Sequence, residues 1–419
     1  MNPFSLSAKP IEQTLMNWKT IYPVPYDKYK VDPYTRTRII LMNGTEFEQV
    51  WFSHQFSRHC ADNELRRRIA LLRRAEAQQQ RYLACLKPQQ ESILEHTIGY
   101  EQLAVDLTAA LAKMVPCQNT KNALDFALLE DFDHLYRYAN LLDLEYGETA
   151  EYLVGRYTEI MPGRPTIAEH RHPFDSIRMY AGADAALMTK LAAGIITAAE
   201  QQTMNYYMNA ASFYPTDIGR RLYQEISMIE EQHVTHYGSL LDPNATWLEC
   251  LLMHQYTECY LYYSCMENEC DARIRDIWAQ MFEQEVSHLH YAAELLKEFE
   301  GTEYQQVVGD GEFPQLLCLG SNIEYVRKVI ASQVDLTAVR ENYIPVGQLP
   351  AHNDFSQYQS IVNSSTEDVP SHIIIEDYIA HLGTDYRWES RPHPIEALQN
   401  RKKDNTTLAM PKREKVSAK

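Results

Sequence analysis

Between residues 61 and 86 the apolar positions Leu65, Ile69, Leu72, Ala75, Tyr82 and Leu83 recur close to every 3.6 residues, the spacing that gives a helix one apolar face. Helical patterning begins near Thr45, and the same period predicts helices over 89–114 and 121–145, then over 184–212, 217–241, 246–269 and 271–299. Pro88, the stretch VPCQNT and Gly147 interrupt the first group, and the turns at 216–217, 242–244 and 269–271 separate the second. Residues 148–183, containing MPGRP and HRHPFD, break the period and read as an inserted connection. The expected fold is therefore all-α, with two tandem four-helix bundles, 45–147 and 184–300, each made of two helical hairpins. An extended Pro- and Tyr-rich arm (1–44) precedes them. A mostly irregular extension (301–419) follows, with helices over 322–333 and 369–382 and a basic, polar tail from Arg401 that reads as disordered.

The hairpins are copies of one unit. Glu76–Gln79, Asp131–His134, Glu230–His233 and Glu285–His288 each form an acid-x-x-His or acid-x-x-Gln cassette, repeating at 55 residues within each half (131 − 76 and 285 − 230). Glu46, Glu101 and Glu200 lie 30 residues before Glu76, Asp131 and Glu230, and Glu258 lies 27 before Glu285. A large apolar residue stands seven positions before each cassette: Ile69, Leu124, Tyr223 and Trp278. Acid-x-x-His alone is weak, since 57 acids and 15 histidines in 419 residues give about two matches by chance, against four here. One match, Glu169–His172, falls in the insertion and reads as noise. Common register raises the other three above helix-face acids that merely neighbour core histidines.

Composition narrows the possibilities. A net charge of −18 argues against a nucleic-acid or anionic-membrane surface. No apolar run approaches a membrane span, and the first residues lack a basic region followed by a hydrophobic stretch. The eight cysteines form no C-x-x-C pair, which excludes a zinc ribbon or rubredoxin-like module and fits a cytoplasmic protein.

In a helix, residues i and i+3 share a face, so such a cassette aims a carboxylate and an imidazole into one space. Two such helices, with two that carry single glutamates, place four carboxylates and two imidazoles around a bundle axis. That set neutralises two divalent irons or manganeses, and without cations four carboxylates could not all ionise in a dry core. The later half carries the complete set: Glu200, Glu230, His233, Glu258, Glu285 and His288. The earlier half carries a degenerate one: Glu46, Glu76, Gln79, Glu101, Asp131 and His134, with Glu48 as a substitute for Glu46 after a small slip. His236, His254 and His290 read as supporting or surface residues, with His254 also a candidate extra ligand. The tyrosines at 206, 207, 262 and 263 read chiefly as core, with one of them a candidate donor beside the metals.

With those residues in view, the chain resembles the ferritin-like superfamily, and within it the rubrerythrin-like di-iron proteins. YTECYLYYSCMENECDARIRDIWAQMFEQEVSHLHYAAELL (256–296) is similar to the second hairpin of a rubrerythrin, and IEEQHVTHYGSLLD (229–242) to the end of the first. The resemblance covers 184–300, with a weaker echo over 45–146. It implies a di-iron oxidoreductase acting on peroxide or dioxygen, with Glu230 and Glu285 as ligands, one or both bridging. His233 and His288 would be terminal ligands, and Glu200 and Glu258 the single-helix carboxylates. Gln255 stands where rubrerythrins carry a further glutamate, and no electron-feeding module is present, so the reductant would be an external donor. Alternatives are an oxygenase acting on a small organic substrate, a metal-binding protein without turnover, and an interaction protein with relic sites. A homodimer is a further expectation.

Overall fold

The computed structural model describes residues 1–160, 169–384, 386, 395 and 396. Eight long helices form the body. They are α1 (Pro33–His59), α2 (Asn63–Ala84), α3 (Ile93–Met114), α4 (Gln118–Tyr146) and, after the short α5 (Ala150–Leu153), α6 (Leu187–Phe213), α7 (Asp217–Gly238), α8 (Trp247–Asn268) and α9 (Ala272–Glu300). Side-chain caps set most of their starts: Asp32, Asp62, Thr216 and Asp271 accept from first-turn amides, and Ser92 and Thr246 form capping boxes with Glu95 and Glu249. Gly147 and Gly301 end α4 and α9 in the left-handed conformation that glycine adopts without strain. The Asp32 cap and Pro33 at N1 start α1 earlier than the sequence pattern indicates, so the arm ends at residue 32 rather than 44.

Successive long helices pack as four hairpins: α1–α2, α3–α4, α6–α7 and α8–α9. The hairpins do not pair by halves. α1 runs antiparallel to α8: near its start Thr35 and Arg38 bond Glu269 at the end of α8, and near its end Phe56 and His59 stack on Trp247 at the start of α8. α3 meets α6 in the same sense, with Tyr206, near the end of α6, donating to the carbonyl of Ile93. One bundle is thus α1–α2 with α8–α9, and the other is α3–α4 with α6–α7. This corrects the expected bundles 45–147 and 184–300.

The two bundles share one core. α1 and α6 meet where Gly44 faces Gln202, so closely that a Cβ at 44 would lie 2.2 Å from Gln202 Oε1. α1, α3, α6 and α8 meet neighbours on several sides. That is why α1 and α3 bury residues all round while α2, α7 and α9 show one apolar face.

The arm lies across α2 and α9: Met16 exchanges two hydrogen bonds with Gln78, and the Lys9 amide donates to Ser287. After α9 come α10 (Gln305–Val308), α11 (Ile323–Gln333), the antiparallel strands β1 (Leu336–Val339) and β2 (Asn342–Pro345), α12 (Asp354–Val362) and α13 (Pro370–Leu382). α11 packs on α4, and α13 packs on α4 and α7, which buries α4 further. The tail from Arg401 and part of the insertion (161–168) lie outside the described residues. Among the described residues no helix is long and apolar enough to cross a membrane, and all eight cysteines are unpaired.

Candidate metal centres

Each bundle gathers its acids at mid-height. In the α3–α4–α6–α7 bundle, Glu101, Asp131, His134, Glu200, Glu230 and His233 come together, each at most 1 % exposed. Two groups of ligand atoms lie within 4.8 Å of one another: Asp131, Glu200, Glu230 and His233, and then Glu101, His134 and Glu230. Glu230 belongs to both. His233 Nδ1 lies 3.0 Å from Glu230 Oε2 and 3.4 Å from Asp131 Oδ1, and His134 Nδ1 lies 3.0 Å from Glu230 Oε1. In the α1–α2–α8–α9 bundle the set is Glu46, Glu76, Gln79, Glu258, Glu285 and His288, all buried. Here Glu76 is shared between the groups Glu76–Glu285–His288 and Glu46–Glu76–Glu258.

The six residues expected to converge in the later half therefore divide: Glu200, Glu230 and His233 join one cluster, and Glu258, Glu285 and His288 the other. The presumed degenerate set divides likewise. Glu101, Asp131 and His134 complete the cluster with two imidazoles. Glu46, Glu76 and Gln79 complete the one with a single imidazole, where Gln79 Nε2 donates to Glu285 Oε1 at 2.7 Å.

Groups behind the ligand atoms orient them. His233 Nε2 lies 2.9 Å from Glu130 Oε2, and Glu130 Oε1 accepts the His170 amide at 2.6 Å. His170 Nε2 in turn lies 2.8 Å from Asp133 Oδ2, so the segment joining α4 to α6 braces this cluster from outside. His288 Nε2 meets Thr14 Oγ1 of the arm at 3.0 Å. Tyr207 donates to Glu101 Oε1 and Tyr262 to Glu46 Oε1, each at 2.5 Å. Gln255 donates to Glu258 Oε2 at 2.8 Å. Of the other residues singled out in the sequence, Glu48 and His254 sit 3.7 Å apart outside the clusters, and His290 meets the Pro3 carbonyl. His236 is buried beside Tyr237. Tyr206 stacks on Tyr100, and Tyr263 packs against Phe282. Glu130, Asp133, His170 and Thr14 carried no repeat signal; only the adjacency of Glu130 to Asp131 pointed to one of them.

The electrostatics are those of crowded, dehydrated acids. Burial, then the charge of Glu230, pushes Glu200 up to about 8; burial and Glu76 push Glu285 up to about 7. Glu101, Asp131, Glu46 and Glu258 are raised well above the usual carboxylate range by burial and by neighbouring carboxylates. Burial alone would lower His288, but Glu285 and Glu76 outweigh it and hold it near 10. One oxygen each of Glu46, Glu101, Asp131, Glu258 and Glu285, and both of Glu200, accept no hydrogen bond. Buried acceptors without donors fit cations, which replace both the protons and the missing partners.

The sign of a pH effect follows for the metal-free protein. Raised acids and a raised histidine hold more protons folded than unfolded, so stability falls as pH rises. The windows run from the unfolded carboxylate value near 4.5 to about 7 and 8 for Glu285 and Glu200, and from 6.5 to about 10 for His288. The chelated chain is expected to melt at a lower temperature at pH 9 than at pH 6. A melting temperature flat across that interval would contradict the burial of these acids.

No family model, curated protein or solved structure matches the chain.

Proposed function

We propose that this protein is a ferritin-like di-metal carboxylate oxidoreductase, similar in its bundle chemistry to rubrerythrin, acting on peroxide or dioxygen. Its principal centre is the α3–α4–α6–α7 cluster. One observation carries the reading: four carboxylates and two imidazoles from four helices, fully buried, form two groups whose ligand atoms each lie within 4.8 Å, with Glu230 common to both. Two irons would be held by Glu101, Asp131, His134, Glu200, Glu230 and His233; manganese accepts the same oxygen and nitrogen set. Iron held there would supply electron-transfer chemistry toward peroxide or dioxygen, with electrons from an external donor.

The chain's own residues do the rest. Glu130, accepting from His233 Nε2, fixes the ring so that Nδ1 faces the carboxylates and, once deprotonated, would present its lone pair to a cation held among them. Tyr207 occupies one oxygen of Glu101, leaving the other for a cation. Burial of all six residues excludes bulk water. In the other cluster Gln79 replaces an imidazole, and its Oε1 accepts no hydrogen bond. An amide oxygen is a weaker ligand for iron than an imidazole, so this centre is the weaker iron binder of the two.

The test is anaerobic loading of purified protein with ferrous iron, then exposure to dioxygen or peroxide with a chemical reductant. Sustained oxidant consumption with a near-ultraviolet band of carboxylate-bridged ferric iron supports the proposal. Stoichiometric uptake without turnover would replace it with metal sequestration, and no uptake would end it.

A further inference from the structure

A cleft of about 170 Å³ opens between α1, α6 and α8, lined by none of the clustered acids or imidazoles. Ala193, Gly194 and Ala198 of α6 form one wall, with Leu240 and Met253 across from them. Thr45 and Thr257, each one residue before a clustered acid (Glu46, Glu258), also line it. An apolar cavity of about 150 Å³ takes a benzene-sized molecule, so this one suits a small ligand.

The polar lining is unbalanced. It holds three carboxylates, Glu48, Asp242 and Glu249, against one ammonium, Lys190. Lys190 is occupied by the carbonyls of Ala183 and Val307. Glu249 is occupied in the cap of α8, and Asp242 accepts from Asn244. Glu48 is different: its side chain is 14 % exposed, its Oε2 is buried without a hydrogen-bond partner, and Oε1 lies 3.7 Å from His254 Nε2. His254 Nδ1 bonds the Cys250 carbonyl at 2.9 Å, which places the ring proton on Nδ1 and leaves Nε2 an acceptor. Its ring stacks on Phe52, with centroids 4.3 Å apart. Two acceptors at one end of an apolar cleft call for a ligand that donates, and a buried carboxylate favours a charged donor over a neutral one.

We propose that this cleft binds a small, mainly apolar primary amine, with the ammonium on Glu48 and His254 and the apolar body against the small residues of α6. The proposal goes beyond the redox reading and does not depend on metal in either cluster, because occupancy is read directly.

The experiment titrates the full chain with benzylamine, benzyl alcohol and benzoate by calorimetry at pH 7.5. Benzylamine is expected to bind at least tenfold more tightly than the other two, and Glu48→Gln is expected to cost it tenfold or more. Gly194→Leu should abolish binding: a Cβ there meets nothing within 4 Å, so the added side chain starts into the open space of the cleft. Circular dichroism of both variants checks that they fold. Absence of benzylamine binding, equal binding of benzoate, or binding undiminished in Gly194→Leu would each overturn the proposal.

Discussion

Asp131→Ala combined with Glu230→Ala is expected to remove about two metal equivalents from iron-loaded protein while leaving the complement of the other cluster in place. These acids head the two cassettes of the α3–α4–α6–α7 bundle; Asp131 belongs to one group of ligand atoms and Glu230 to both. Removing them leaves Glu101, Glu200 and two imidazoles, too few anions to hold two divalent cations in a dry core. Glu230→Ala with Glu285→Ala cuts one acid from each cluster and should weaken both. Metal analysis of the two double variants separates the pairings. If the later half alone formed a single centre, the Asp131 and Glu230 variant would behave as Glu230→Ala alone, and Glu230 with Glu285 would strip the protein of tightly held metal. Oxidant turnover should be lost with the first pair. Folding should survive, because each acid removed also removes a buried like charge from the metal-free state.

The repeat made the ligand types and the helices legible, because a cassette three residues apart on a helix has one geometry wherever it occurs. What it could not convey was partnership. All four hairpins carry the same register, so any two could face each other with equal chemical sense, and adjacency in the chain was the wrong guide. The connections held the missing information. Antiparallel pairing of α3 with α6 requires the chain to travel back along a helix between α4 and α6, and residues 147–186 are long enough for it. The connections 85–92 and 239–246 are eight residues each; at about 3.4 Å per residue they reach roughly 30 Å. That falls short of a 22-residue helix, about 33 Å long, plus a sideways step of about 10 Å. Hairpin two therefore pairs with hairpin three across the long connection, and one and four are left to each other. The all-round burial of α1 and α3 was a second trace of the same fact, since a helix in an isolated bundle would show one apolar stripe. The bracing residues were illegible for a different reason: Glu130, His170 and Thr14 act through hydrogen bonds set by the path of the connection and the arm, and such contacts leave no period in a sequence.

Arg38→Met is expected to destabilise the protein by about 3–5 kcal/mol, the cost of leaving a buried charge without its partner. Arg38 Nη1 lies 3.2 Å from Glu269 Oε2, with side chains 6 % and 0 % exposed. Glu269 also accepts from Thr35 Oγ1 at 2.5 Å and from Trp278 Nε1 at 3.0 Å, so one carboxylate ties the start of α1 to the end of α8 and to α9. This contact is specific to the pairing of the first hairpin with the last, since Arg38 and Glu269 lie 231 residues apart. Loss of the guanidinium strands the charge, whereas Arg38→Met with Glu269→Gln removes both charges and keeps an amide for Thr35 and Trp278. The double variant should therefore recover most of the lost stability, and the recovery measures the coupling between the two sites. Urea unfolding followed by circular dichroism provides the free energies. A loss below about 1 kcal/mol in the single variant, the range of an exposed ion pair, would mean that Glu269 is not held by Arg38.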